Sequence, residues 1–179
     1  MAQQHSWILK LTHVLTWIVF IGLCVNAGTI LTTYLLSSFV NPAAASNLML
    51  GLDLSALRSA GKVEYHIMVW GIIAVTVLEA TLFYKLLQMF TKIDYQRPFR
   101  ESIGKLILHM SVISLIVGIL SKQLTGFANH YISKGISFPK LSDHIGHGDA
   151  FLFFAGILFV ISTIFKKGIE LQTENELTV

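Results

Sequence analysis

KVEYHIMVWGIIAVTVLEATLFYKLLQMF, residues 62–90, decides how this chain is read. Apolar residues cover every face of the helix it would form. Glu64 and Lys85 bracket a run long enough to cross a bilayer core, which takes about 20 apolar residues at about 1.5 Å each. One acid, Glu79, falls inside the run, about 9 Å along the axis from Lys85. An ionisable group at that depth is expensive and faces other helices or a cavity. The remainder of the chain is therefore expected to supply helices that cover it.

Composition agrees with that start. Of 179 residues, 54% are hydrophobic and 13% charged, against about 25% charged in soluble domains, and the mean hydropathy is +0.67. The expectation is a single-domain integral membrane protein. A net charge of +3 does not point to direct nucleic-acid binding, because the basic residues flank apolar spans, where they set topology. Cys24 is the single cysteine, so no disulfide forms within the chain, and it reads as a small packing residue.

Taken in order, the first span covers residues 8–40. It is too long for the apolar region of a cleaved signal, which is about 7–15 residues, and is expected to stay. Gly22, Ala27 and Gly28 give it a small-residue stretch for close packing, and Asn41-Pro42 ends it. An outer loop at 41–62 follows. Its LMLGLDLSALRS piece suits either a short strand or an interfacial helix, and both stay open. The second span is 63–90. A tight connection at 91–102 carries Pro98 near the first turn of the next helix. The third span, 103–124, places Ser111, Ser114 and Gly118 on one packing face at i, i+3, i+7 spacing. A second outer loop at 125–148 leads to the fourth span, 149–166, and a tail at 167–179. The fold class is all-α: an integral membrane four-helix bundle with up-down topology.

Orientation follows from Lys and Arg. Lys10, Lys85, Lys92, Arg97, Arg100, Lys105, Lys166 and Lys167 gather on one side; Arg58, Lys62, Lys122, Lys134 and Lys140 lie on the other. The positive-inside rule then puts both termini in the cytoplasm.

RPFRESIGKL (97–106) and FKKGIELQTENELTV (165–179) carry a resemblance. The first resembles the Pro-Phe connection into the third span of a small bacterial membrane family, catalogued as domain of unknown function 2975. The second is similar to that family's C-terminal Gly-x-x-Leu and Glu-x-x-Leu-Thr-Val ending, and the four-span layout with two outer loops also matches. The family has no agreed activity, and its members are often encoded beside a small helix-turn-helix regulator. What the resemblance implies is a non-enzymatic membrane partner of a cytoplasmic transcription factor, in the bacterial inner membrane. It supplies no catalytic residue.

Three functional readings stay open. In the first, a sensor or regulator binds the helix-turn-helix protein through Arg97, Pro98, Phe99 and Arg100 with Leu171 and Glu174 of the acidic tail, around a polar core of Glu79, His13, Thr16 and His109. Counting inward from Lys10, Lys85 and Lys105 places that core at similar depth. In the second, His13 with His109, and His66 with His147, ligate haem b axially, which needs paired imidazoles facing across the bundle. A visible spectrum before and after reduction separates it from the others. In the third, Glu79 carries a proton or cation through a small transporter, dimeric because four spans enclose little space. Beside these, DHIGHGD (143–149) offers Asp143, His144 and His147 at i, i+3 and i+4 spacing for Zn²⁺ or Cu²⁺, although Gly146 and Gly148 favour a loop in which Asp149 caps the fourth span. No hydrolase elbow, zinc helix, phosphate loop or dinucleotide fingerprint is present, so neither catalysis nor a cofactor is expected under the first reading. The expected partners are the bilayer, the regulator and, for a transporter, a second copy of the chain.

Overall fold

A computed structural model describes residues 2–92 and 100–177. Helices form at α1 (Ala2–Phe39), α2 (Ser55–Ala60), α3 (Lys62–Lys92), α4 (Glu101–Ile132), α5 (Ser142–Ile145) and α6 (Gly148–Leu177), with a 3-10 turn at Pro42–Ser46. No strand occurs among the described residues. α1, α3, α4 and α6 are each long and apolar enough to cross a membrane. The protein is all-α, and its four long helices form the bundle.

Local chemistry sets the ends. The Asn41 carboxamide oxygen accepts the Ala43 N–H, and Pro42 opens the 3-10 turn. α4 starts after an extended Arg100 and runs to Ile132, a turn or two beyond the span expected from the sequence. Gly135, at φ +87°, then reverses the chain in a conformation that favours glycine. Asp149 does not cap α6. It lies inside the first turn, and its carboxylate pairs with Lys122 at 2.6 Å.

The helices pack in chain order: α1 on α3, α3 on α4, α4 on α6. Each pair is antiparallel. Tyr34 lies beside His66 and Trp70, whereas His13 lies beside Phe90. A Cβ at Gly71 would strike Leu124, and Ser111 reaches Ala155. α1 and α6 have no comparable packing on each other, so the bundle is open along that side. Only 11% of the apolar window of α1 is buried, against 44% in α3 and in α4, which makes α1 an edge element with most of its surface facing outward.

At the end where α1 finishes, the 42–60 segment fills the interior. Leu48, Leu52, Leu54 and Leu57 are essentially fully buried among Ile30, Tyr65, Met68 and Ile72. The segment is a 3-10 turn and a short helix pinned together by the Leu54 N–H to the Ala45 carbonyl. It is thus neither a strand nor a helix lying on the surface. Burying four leucines outweighs the interfacial alternative, since each is worth roughly 1.5–3 kcal/mol. A second cluster, Leu82, Ile103, Ile107, Met110 and Leu158, joins α3, α4 and α6 toward the opposite end.

α4 and α6 approach closely at two glycines. A Cβ at Gly118 would sit 2.7 Å from the Leu152 Cγ and 3.0 Å from the Gly148 carbonyl oxygen. Ser111, Ser114 and Gly118 are all buried on this face, as their spacing predicts, and the Ser111 hydroxyl donates to the Ala155 carbonyl at 2.9 Å. Gly118→Leu should therefore lower the melting temperature in detergent, with an overpacking penalty of about 1–3 kcal/mol. Gly126, whose Cβ position has nothing within 4 Å, should accept Ala without loss.

Candidate functional site

Glu79 lies on the stripe of α3 that also carries Ile72, Val75 and Leu82, all buried. It is half-buried and makes no hydrogen bond or ion pair among the described residues. Asn26 of α1 occupies the stripe of fully buried Ile30 and Ser37 and is likewise half-buried without such a partner among the described residues. Tyr34 beside His66 and Phe20 beside Tyr84 set the register of α1 on α3. That register brings Asn26 within about one turn of Glu79.

The other expected members of this polar core are elsewhere. His13 stacks on Phe90, with ring centroids 5.4 Å apart, and its Nε2 accepts the Trp17 Nε1–H at 3.1 Å. Phe90 lies about 16 Å along the axis from Glu79. Thr16 is buried between the two levels, and its hydroxyl donates to the Thr12 carbonyl. His109 is exposed. It is one residue from buried Met110, hence rotated about 100° off the inward stripe of α4. Glu79, His13, Thr16 and His109 therefore do not converge.

Neither histidine pair faces itself across the interior. α1 packs on α3 rather than on α4, which separates His13 from His109. The His66 Nδ1 is engaged with the Tyr34 hydroxyl at 3.0 Å, and His147 is exposed in the turn between α5 and α6. Asp143 sits 3.7 Å from Lys140, His144 is half-buried on α5, and His147 stands beyond Gly146. No group of three His, Cys, Asp or Glu gathers to hold a metal among the described residues. Of the expected partner-contact residues, Arg97, Pro98 and Phe99 lie outside the described residues. Arg100 is exposed at the start of α4, and Leu171 and Glu174 are exposed on the continuation of α6.

A network the sequence reading missed ties α1, α3 and the plug together. Tyr34 bonds His66, the Ser37 hydroxyl bonds the hydroxyl of fully buried Tyr65, and the Arg58 guanidinium lies 5.3 Å from the Tyr65 ring centroid. The available signal was the i, i+3 spacing of Tyr34 and Ser37 opposite the adjacent Tyr65 and His66. It becomes readable only once the register between two helices is known.

These features define a helical membrane protein with four spans, a plugged end and a half-buried acid on the inward stripe of α3. Within that class the chain belongs to the family described as Protein of unknown function (DUF2975), whose profile matches residues 50–179. No curated protein and no solved structure matches it.

Tyr34→Phe removes the hydroxyl bonded to His66 and should cost about 1 kcal/mol of stability. Adding His66→Phe should then cost less than His66→Phe alone. Additive losses in detergent melts would show that the bond carries no coupling.

Proposed function

We propose that this protein is a non-enzymatic sensor or regulator of the bacterial cytoplasmic membrane, multi-pass with both termini inside, that passes its state to a cytoplasmic helix-turn-helix protein. The observation that carries this reading is α6. It runs unbroken from Gly148 to Leu177, about 45 Å, whereas a bilayer core is about 30 Å thick. Beyond Lys166 and Lys167 the tail is thus a continuing helix, not a frayed end. It exposes Leu171 and Glu174, and its base is packed: Phe165 and Ile169 lie over Gly104 of α4. A rigid arm seated on the α4–α6 seam can carry a shift of the spans outward. Contact would use this arm and the 91–102 connection, with no direct nucleic-acid contact, catalysis or cofactor in the scheme. A helix-turn-helix regulator of the kind the family resemblance implies should co-purify with the full-length protein from detergent extracts. Deleting Glu170 to Val179 should release it to the soluble fraction, and a regulator that stays membrane-bound after the deletion removes the tail from the scheme.

A second reading, proton- or ion-coupled transport, is favoured by Glu79 and Asn26, two inward polar groups with no hydrogen-bond partner among the described residues. On that reading Glu79→Gln abolishes ion flux into proteoliposomes while the melting temperature stays within a few degrees of wild type. Unchanged flux would end it.

A further inference from the structure

A groove of about 490 Å³ runs between α4 and α6, at the end where α4 begins and α6 leaves its apolar stretch. That size falls within the range of about 300–1,000 Å³ usual for small-molecule sites. Leu108, Phe159 and Ile169 form apolar walls, Gly104 is part of its lining, and Lys105 and Lys166 stand at the polar end beside Glu101. The hydroxyls of Ser162 and Thr163 donate to the Phe159 carbonyl of their own helix at 2.8 and 3.0 Å. Neither is left as a donor for a sugar-like ligand.

The charges are unevenly satisfied. Glu101 holds Lys105 at 2.7 Å, and Lys167 holds Glu170 at 3.0 Å. Lys166 makes no close ion pair or hydrogen bond among the described residues, and it meets the charge of Glu170, which Lys167 holds, only at longer range. The groove therefore has a cation outside any close ion pair at a helix end and an apolar trough leading from it. A soluble anion would satisfy Lys166 but leave Leu108 and Phe159 bare. A zwitterionic lipid would cover the trough, but the positive charge of its own head group offsets much of the attraction of its phosphate to Lys166. An anionic amphiphile matches both parts best, and basic pockets between spanning helices suit anionic head groups.

We propose that this groove binds one anionic phospholipid, with its phosphate at Lys166 and Lys105 and an acyl chain along Leu108 and Phe159. The site sits where the α6 extension begins, so its occupancy bears on how that arm is held. The proposal does not depend on any cytoplasmic partner.

The test is native mass spectrometry of the full-length protein in detergent. The probes are phosphatidylglycerol, phosphatidylcholine with the same chains, and glycerol 3-phosphate. Phosphatidylglycerol should remain as one bound copy after the micelle is stripped, phosphatidylcholine should be held about tenfold less, and glycerol 3-phosphate should not be retained. Lys105→Gln with Lys166→Gln should lower phosphatidylglycerol retention about tenfold with unchanged helicity, and Lys85→Gln with Lys92→Gln on α3 should not. Gly104→Leu should produce the same loss with both lysines present. A Cβ at Gly104 would have the Ile169 Cδ1 at 3.7 Å and the Phe165 Cβ at 3.8 Å, so the helix pairing accommodates the first carbon. If Gly104→Leu misfolds, the lysine pair decides. Equal retention of both lipids, or undiminished phosphatidylglycerol in the Lys105/Lys166 variant, would mean annular lipid and overturn the proposal. Retention of glycerol 3-phosphate equal to that of the lipid would overturn it in favour of a free-phosphate site.

Discussion

The close approach of α4 and α6 is the constraint on which the rest depends. Between spans the lipid offers no hydrophobic force, so helices associate by packing and hydrogen bonds alone. Gly118 and Gly148 remove the side chains that would hold the two backbones apart, and Ser111 adds a hydrogen bond to the Ala155 carbonyl. With the crossing set there, Gly104 meets Phe165 and Ile169 further along, and Lys122 meets Asp149 at the other end. One seam therefore positions the groove, the packed base of the tail and the entry into α6.

The other half of the molecule is held differently. α1 leans on α3 through aromatic rings and the Tyr34–His66 and Ser37–Tyr65 bonds, with the 42–60 plug filling the space that a closed bundle would fill with helix. Among the described residues α1 does not pack on α6 in a comparable way. The interior is consequently covered by leucines at one end and open along one side. An acid in that setting is expensive to keep unpaired.

What could be read before the structure has a physical pattern. Bilayer thickness dictates the length of an apolar run, so residues 62–90 announced a spanning helix without any partner, and three further runs did the same. Period 3.6 dictates which residues share a face, so the Ser111–Ser114–Gly118 seam was legible from spacing. Depth could be counted too, but counting from flanking lysines treats helices of different length and tilt alike. That is why His13 and Thr16 were placed level with Glu79 although the register of α1 on α3 sets His13 beside Phe90. Depth also says nothing of rotation, and His109 shows the consequence, one residue away from an inward position.

By itself the sequence determined the class of fold, the four apolar helices, the packing face of α4 and the presence of an acid inside the membrane, because each follows from length, polarity or periodicity along one segment. Only the tertiary structure decided that the bundle is open between α1 and α6, that residues 42–60 are a plug, that neither His13 nor His109 accompanies Glu79, and that α4 and α6 enclose a groove ending at Lys166. Each of these depends on the axial register and rotation of one helix against another. Those are settled by side-chain shape and small-residue contacts summed across two segments, which no single stretch of chain contains.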